Sequence, residues 1–329
     1  MPISWGVLGT GAHVQRVMAP AFSRAADTTL AAVCSRELSR AEDVAHKFGF
    51  ARAYDSFEEM LKDDAVEAIY ICTPNALHAE QAIQAARAGK HVLVEKPMAL
   101  TRAEAEAMVD ACESAGVRLG VGFHLRHHPG QKDARRAIAE GRLGKAVVYD
   151  VRWIITGSRR EGWWQDPTMI GAYIMMALGV HLIDLIRYLS GREPEAVTAM
   201  TDGQRAGRPL DETALATLRL GDDVFATLFA TRHTAKAQND FTVYGTEGLA
   251  EARGTVGVNP TGTLVIVAGE STVETSYHAK DPYQEEIEAF NRAVRDGTAP
   301  SASGLDGLQV VRITEAILES ARTGRTVKL

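Results

Sequence analysis

Residues 3–11 read Ile-Ser-Trp-Gly-Val-Leu-Gly-Thr-Gly, and this stretch decides the fold class. Its first six residues are mostly apolar, as in a buried β-strand, and Gly9-Thr10-Gly11 follows directly. Glycine is needed where a strand turns tightly into a helix and passes close to a pyrophosphate, which the helix N-terminus attracts. Glycine also serves ordinary turns, so the pair alone is weak evidence. Its place after the first strand predicts a dinucleotide-binding turn that includes Ala12 and His13.

Short apolar runs alternate with amphipathic stretches through the first third of the chain. The apolar runs span residues 3–8, 30–34, 68–72, 92–94 and 119–123. The amphipathic stretches span residues 40–48, 77–88 and 102–115, and glycines at their ends favour helix C-caps. This β-α-β-α order predicts an α/β Rossmann domain, a doubly wound parallel sheet, over residues 1–123.

The remainder of the chain, residues 124–329, has a different pattern. Alternating runs at residues 146–155, 214–220, 224–231 and 241–244 are separated by glycine-rich turns. They predict an antiparallel sheet with one polar face in an α+β domain. Because so broad a face usually pairs with another copy, we expect a homodimer or homotetramer.

Composition excludes several classes of partner. The net charge is −6 with both signs interspersed, so nothing indicates binding to nucleic acid or to a membrane surface. No signal peptide is evident, and the apolar stretch at residues 170–180 is about half as long as a membrane span. Three widely spaced cysteines are typical of reduced core thiols, which predicts a cytoplasmic protein. No histidine or cysteine spacing indicates a metal site.

The run His91-Val92-Leu93-Val94 is followed by Glu95-Lys96-Pro97, a charged pair and a proline at the end of a predicted strand. Ligands of open parallel sheets bind just beyond the carboxyl ends of the strands. A lysine there is partly desolvated, which favours its neutral form and enables it to pass a proton. The proline restricts φ and can adopt a cis bond. A solvated Glu-Lys pair in a loop is the alternative interpretation.

The second predicted strand ends at the position that contacts the adenosine ribose in dinucleotide-binding sheets. Here Ser35 and Arg36 occupy that end, and Arg40 lies in the following helix. A hydroxyl and two guanidinium groups suit a 2′-phosphate, so we expect NADP rather than NAD. Glu37 is more typical of an NAD site, and surface roles for both arginines stay open.

Thr73-Pro74-Asn75 follows the third predicted strand, residues 68–72, and His78 comes three residues later. A loop at this strand end is expected to face the nicotinamide half of the cofactor. Thr73 and Asn75 are also good N-cap candidates for the next helix, and the two roles are compatible.

Four motifs together carry a family resemblance. They are Gly9-Thr10-Gly11, Thr73-Pro74-Asn75-Ala76-Leu77-His78, Gly89-Lys90-His91-Val92-Leu93-Val94-Glu95-Lys96-Pro97 and Gly179-Val180-His181-Leu182-Ile183-Asp184. In this order they resemble the Gfo/Idh/MocA oxidoreductases, a family that includes glucose-fructose oxidoreductase, inositol dehydrogenase and 1,5-anhydro-D-fructose reductase. The resemblance implies a Rossmann domain followed by an α+β domain with a large, open, mostly antiparallel sheet that binds substrate and forms oligomers.

The resemblance also implies an activity, hydride transfer between NAD(P) and a carbinol carbon of a sugar, cyclitol or related polyol. It implies Lys96 as the catalytic lysine and His181 as the histidine that relays the proton. The chain departs from the family pattern at Ala177, where an aspartate is usual. A cofactor-sensing protein that has lost catalysis is therefore the alternative.

Six residues are candidates for substrate binding. His124 and Arg126 lie in a stretch that resembles the family's domain crossover, and Asp184 follows His181 by three residues. Trp163 and Trp164 lie in the polar segment of residues 159–166, where they could stack on a sugar ring or form a dimer contact or lid. Tyr283 precedes a predicted helix over residues 284–295, where the family often has an aromatic residue near the site. Taken without the resemblance, a lone histidine such as His181 is more often a core residue.

Overall fold

The computed structural model describes residues 1–157, 161–203, 210–221, 223–278 and 280–329. Arg159 and Arg160, which begin the tryptophan segment, lie outside these residues, as does Asp222 of a predicted turn. Contacts divide the chain into two compact units. The first unit contains Met1–Phe123 and Tyr283–Leu308, and the second contains His124–Pro282 and Gln309–Leu329.

The first unit is built on a parallel sheet. Within the described residues its strands are β1 (Ile3–Leu8), β2 (Thr28–Cys34), β3 (Arg52–Tyr54), β4 (Ala68–Ile71), β5 (His91–Val94) and β6 (Leu119–Val121). Their order in the sheet is β3-β2-β1-β4-β5-β6, and every neighbouring pair is parallel. This is the order of a doubly wound dinucleotide-binding sheet, so the predicted α/β Rossmann fold is confirmed.

Five helices accompany these strands in the described part of the chain. They are α1 (Ala19–Arg24), α2 (Leu38–Phe48), α3 (Phe57–Leu61), α4 (His78–Arg87) and α5 (Arg102–Ser114). A π-helical turn at Val14–Met18 precedes α1, and a 3-10 turn at Asn75–Leu77 precedes α4. Gly89 and Gly116 have φ of +72° and +67° just beyond α4 and α5, as predicted for glycines that end helices.

The second unit is built on a larger sheet. Its strands, among the residues described, are β7 (Ala146–Ile154), β8 (Ala196–Thr201), β9 (Thr213–Arg219), β10 (Phe225–Thr231), β11 (Phe241–Gly245), β12 (Gly248–Arg253), β13 (Thr261–Ala268), β14 (Ser271–His278) and β15 (Val327–Lys328). The order is β14-β13-β12-β11-β7-β10-β9-β8-β15. Of the pairs recorded, β7 with β10 is parallel and the others are antiparallel, which confirms the mostly antiparallel sheet.

The later helices are α6 (Pro129–Ala139), α7 (Pro167–Ile170), α8 (Val180–Ser190), α9 (Pro282–Asp296) and α10 (Gly304–Thr323). Helix α8 packs against β7 and β10, and α6 packs against β12 and β13. The strands keep the alternation expected of a sheet that is covered on one face. On the other face, side chains of β7 to β11 are at least partly exposed, for example Leu215, Thr217 and Arg219 of β9.

The segment Pro167–Ser190 corrects one expectation. It is 24 residues long, its mean hydropathy reaches 1.9, and by length and composition it could cross a membrane. The expectation of an apolar stretch half that length was wrong, because the helix stays apolar beyond His181 through the residues of α8. However, 78% of this segment's most apolar window is buried inside the protein, as in the core helix of a globular unit.

Helix α9 completes the core of the first unit although it lies more than 150 residues after β6. Its Tyr283, Ile287 and Phe290 are buried in the same apolar cluster as Trp5 of β1. The indole Nε1 of Trp5 donates to Oδ1 of Asn291 at 3.0 Å. Residues 283–308 therefore pack with the Rossmann sheet. The sequence analysis had predicted a Rossmann domain made of residues 1–123 alone.

Candidate active site

The turn after β1 has the shape that a pyrophosphate requires. Gly9 has φ of +113°, and a Cβ built on it would lie 2.4 Å from the carbonyl oxygen of Cys72. Any other residue there would be both strained and in collision. A Cβ on Gly11 would meet nothing within 4 Å, so the outer side of the turn is open. A tight turn with open space above it fits the diphosphate of a dinucleotide at the start of a helix.

Side-chain bonds hold this turn to its surroundings. Oγ1 of Thr10 donates to Oγ of Ser35, at the end of β2, over 3.0 Å. Nε2 of Gln15 donates to the carbonyl oxygen of Thr10 over 2.9 Å. Thr10, a candidate for the phosphate end of the cofactor, and Ser35, a candidate for the ribose end, are therefore in direct contact.

The predicted 2′-phosphate residues lie at the surface. Arg36 is exposed, and Nε of Arg40 lies 3.0 Å from Oε2 of Glu37. The side chains of Arg40 and Glu37 are 62% and 58% exposed. An ion pair as exposed as this is worth only about 0–1 kcal/mol, so it does not fix Arg40 in place.

The loop after β4 does not contain the helix caps predicted at Thr73 and Asn75. Neither Thr73 nor Asn75 caps a helix: the N-cap position of the 3-10 turn is Pro74, without a side-chain bond. Oγ1 of Thr73 donates instead to Oε1 of Gln81 at 2.5 Å, and Asn75 is buried. The capping prediction was wrong, since the N-cap positions are Pro74 and Leu77 and the Thr73 hydroxyl bonds a side chain of α4.

His78, the first residue of α4, joins two loops. Its side chain is buried, with Nε2 at 2.9 Å from the carbonyl oxygen of Thr73 and Nδ1 at 2.8 Å from that of Pro97. Burial lowers the pKa of His78, against the opposing effects of both carbonyl groups and of Glu95. The peptide bond between Lys96 and Pro97 is cis.

Glu95, beside Lys96, is a buried and ionised carboxylate. Oη of Tyr70 donates to its Oε1 at 2.5 Å, and Nε2 of His13 lies 3.3 Å from the same oxygen. Burial disfavours its charge, but His13, then Lys96 and the Tyr70 hydroxyl, outweigh that cost and lower the pKa of Glu95 to about 2. Lys96 itself is partly exposed. The end of β5 therefore presents a lysine next to a permanent negative charge.

Tyr283 lies inside α9 rather than before it. Its side chain is only 4% exposed, and its ring centroid is 5.6 Å from that of His13 in an edge-on arrangement. Helix α9 begins at Pro282, since proline is tolerated in the first turn. Tyr283 thus supports the helix that follows the glycine turn.

His181 lies in the second unit within a cluster of rings. Its ring centroid is 4.9 Å from that of His124, nearly perpendicular to it, and 4.9 Å from that of Trp153. Nε2 of His124 is 3.0 Å from the carbonyl oxygen of Gly257. All three rings are buried. The sequence did not single out Trp153, although the alternation along β7 points it to the covered face.

A π-helical turn at Met175–Gly179 directly precedes α8 and contains Ala177. Such turns occur frequently at functional sites. Just before this turn, the backbone N–H of Ile174 donates to Oδ1 of Asp211 at 3.2 Å. Asp211 is buried, and that burial raises its pKa to about 6. Sequence reasoning missed Asp211, because nothing local distinguishes it from a surface carboxylate.

Arg126 and Asp184 form a buried ion pair. Nε of Arg126 lies 2.8 Å from Oδ2 of Asp184, and its Nη2 lies 2.6 Å from Oδ1. The side chains are only 6% and 1% exposed. Sequence reasoning left open whether Asp184 orients His181 or bonds elsewhere, and the structure shows this two-pronged bond to Arg126. Such a pair is strong and geometrically specific.

Trp163 and Trp164 form a stacked pair in the 3-10 turn Gly162–Gln165, with centroids 4.5 Å apart and both rings partly exposed. Trp164 meets the edge of Tyr173 at 6.2 Å. The guanidinium of Arg232 lies 5.1 Å from the Tyr173 ring and donates to its hydroxyl. Arg232 was missed from sequence; it directly follows β10, and only the fold shows what it contacts.

The strand order and the glycine turn of the first unit define a dinucleotide-binding protein, with a lysine at the strand ends. The chain belongs to the Gfo/Idh/MocA oxidoreductase family. The family's NAD-binding Rossmann domain matches residues 3–123, and its C-terminal alpha/beta domain matches residues 135–329. The resemblance seen in the four motifs is thereby confirmed. No group of three or more histidine, cysteine or acidic side chains could hold a metal ion in the part of the chain that is described.

Individual relatives span the whole chain. A 1,5-anhydro-D-fructose reductase of Ensifer adhaerens is 30% identical over 99% of this chain and 98% of the relative. A D-xylose 1-dehydrogenase (NADP(+)) of Haloferax volcanii is 32% identical over 99% of both. The crystal structure of an aldose-aldose oxidoreductase from Caulobacter crescentus, complexed with glycerol, superimposes with a TM-score of 0.92, 27% identity and complete coverage of both chains.

Proposed function

We propose that this protein transfers a hydride between NADP and a secondary alcohol or ketone carbon of a sugar, cyclitol or related polyol. The observation that carries the proposal is the end of β5, where Lys96 is partly exposed beside the ionised Glu95. Strand β4 alone separates β5 from β1 and its glycine turn. The substrates and activities of the named relatives support the same class of reaction.

Lys96 and His181 move the proton in this proposal. Bound NADP supplies or accepts the hydride. The two side chains hydrogen-bond the reacting oxygen, stabilise its developing charge and transfer its proton, which is worth about 10²–10⁴-fold in rate. Ala177 replaces the aspartate that is usual in the family, and its neighbours Met175 and Met176 make that turn apolar.

For substrate binding we propose Trp163 and Trp164. The stacked, partly exposed indoles suit the apolar face of a sugar ring. His124, Arg126, Asp184 and Tyr283 are assigned instead to supporting roles, because their polar or aromatic groups are buried against other side chains.

The test is an absorbance assay at the nicotinamide band. The purified protein is mixed with NADP or NADPH, or with NAD or NADH, and with a panel of polyols, aldoses and ketosugars. Turnover that is lost in the Lys96→Ala variant supports the proposal. Cofactor binding without turnover across the panel contradicts it and favours a sensor of the same fold.

Cofactor choice is predicted to depend on Arg36. In Arg36→Ala, kcat/KM with NADP should fall about 10- to 100-fold while that with NAD changes little, because a charge-assisted bond to the 2′-phosphate is worth about 1.5–3 kcal/mol. Arg87→Ala, an exposed arginine of α4, is the matched control and should leave the ratio unchanged. A wild-type preference for NAD, or equal losses with both cofactors, would refute the NADP assignment.

We also propose that the protein is a homodimer or homotetramer that pairs through the open face of the second sheet. We define this open face by Val148, Met200, Leu215, Phe225, Phe229 and Tyr244. Met200, Leu215 and Phe229 are cross-strand neighbours, as are Phe225, Val148 and Tyr244. Large apolar side chains in adjacent rows are typical of an interface.

Leu215→Glu tests the interface. Leu215 is 51% exposed in the isolated chain, and a carboxylate there should dissociate the assembly because it would be buried without a partner. Light scattering after size exclusion should give an oligomer for the wild type and a smaller species for the variant. Leu305→Glu, at an equally exposed leucine of the first unit, is the control. A monomeric wild type would contradict the proposal.

The three cysteines are not joined in disulfides, and Cys34 and Cys112 are buried. Reduced thiols of this kind support our placement of the protein in the cytoplasm.

A further inference from the structure

The ring of His78 spans two loops at the carboxyl edge of the first sheet. Thr73 follows β4 and Pro97 follows β5, and these strands are parallel neighbours. The ring is 1% exposed and reaches the carbonyl oxygen of each loop within 2.9 Å. Pro97 is the residue directly after Lys96, so one of the two contacts is made to the backbone that carries the lysine.

These contacts leave His78 no polar atom for a cofactor. Both ring nitrogens face backbone carbonyl groups, and a carbonyl oxygen can only accept a hydrogen bond. A neutral imidazole has one N–H and can donate to one of the two. Because burial lowers the pKa of His78, the neutral ring is the relevant form at neutral pH. The position of that single proton therefore decides which loop the ring holds.

We propose that His78 is a positioning residue, whose Nδ1–H donates to the carbonyl oxygen of Pro97 and fixes the segment on which Lys96 meets the substrate. This inference rests on the proposed function, since it requires Lys96 to act on the substrate. Its reason is geometric. A displacement of a reactive group by about 1 Å can cost about 100-fold in rate. The position of the Lys96 ammonium group depends on the position of the backbone that carries it. His78 supplies that restraint from a rigid helix rather than from a loop.

Two amide variants separate the two nitrogens. The side-chain nitrogen of asparagine lies near the position of Nδ1, whereas that of glutamine lies near the position of Nε2. His78→Asn can therefore still donate to Pro97, and His78→Gln can still donate to Thr73. We expect kcat of His78→Gln to fall about 10- to 100-fold, and kcat of His78→Asn to stay at least about 10-fold higher than that of His78→Gln. Cofactor dissociation constants of both variants should stay within about 3-fold of the wild type, since the ring makes no cofactor bond.

Controls separate positioning from damage to the fold. Glu80→Gln, an exposed change on the same helix whose partner is Gln84, should match the wild type. In the Lys96→Ala background, His78→Gln should lower turnover no further, because residues that act as a unit are not additive. A merely structural defect would lower it further.

A second measurement needs no variant. Nitrogen NMR of the wild-type histidine rings should show His78 neutral and protonated at Nδ1. Protonation at Nε2, equal kcat losses in both amide variants, or an additive loss in the Lys96→Ala background would each overturn the inference. Full turnover of Lys96→Ala itself would refute the proposed function instead, so the two failures are distinguishable.

Discussion

Lys96→Ala should lower kcat by about two to four orders of magnitude while the dissociation constant of the cofactor changes little. Lys96 lies at the end of β5, partly exposed, beside a carboxylate whose pKa is about 2, so its ammonium group has a fixed negative neighbour. Removal of the ammonium group takes away the proton donor and acceptor but leaves the glycine turn intact. The measurement is steady-state kinetics combined with fluorescence titration of the cofactor.

Two further variants sharpen this result. Lys96→Arg keeps the positive charge but cannot release a proton near neutral pH, so it should be nearly as slow as Lys96→Ala. Lys62→Ala, which removes an exposed lysine at the C-cap of α3 that pairs with Glu58 and Glu59, should turn over at the wild-type rate. If Lys96→Arg restored most of kcat, a purely electrostatic role would replace proton transfer. Unchanged turnover in Lys96→Ala would refute the catalytic assignment.

Asp184→Asn should destabilise the second unit by about 3–5 kcal/mol, since it leaves the buried guanidinium of Arg126 without a compensating charge. The Arg126 side chain is 6% exposed and donates to both carboxylate oxygens. Water therefore cannot replace the lost partner. Urea unfolding followed by tryptophan fluorescence measures the change, because Trp153 lies in the same unit.

A control variant at an exposed ion pair and a double variant test the cause of this loss of stability. Glu193→Gln removes the 54% exposed partner of Arg187 and should cost about 0–1 kcal/mol. The double variant Arg126→Met/Asp184→Leu removes both charges and should be more stable than Asp184→Asn alone. A loss below about 1 kcal/mol in Asp184→Asn would show that the pair contributes little to the fold.

Local sequence predicted many of the elements and the type of each sheet. The alternation of apolar runs and amphipathic stretches predicted the parallel sheet that is observed. The requirement for Gly9 was also predictable, since a strand-to-helix turn needs positive φ, here +113°. Each of these features depends on residues within a few positions of one another.

The sequence also predicted where Lys96 would lie in the sheet. Ligands bind beyond the carboxyl ends of parallel strands, and Lys96 is indeed placed at such an end. It did not predict the partners of the neighbouring polar groups. Thr73 bonds Gln81 instead of capping a helix, and both ring nitrogens of His78 face backbone carbonyl groups instead of a ligand.

By itself, then, the sequence determined the fold class, the glycine turn, the strand ends and the family. Only the tertiary structure decided that α9 completes the core around Trp5, that Arg126 pairs with Asp184 across 58 residues, and that His181 packs against Trp153. The physical reason is the range of the forces involved. Periodicity and turn geometry act between near neighbours, whereas burial and pairing of polar groups depend on which distant segments the packed core brings into contact.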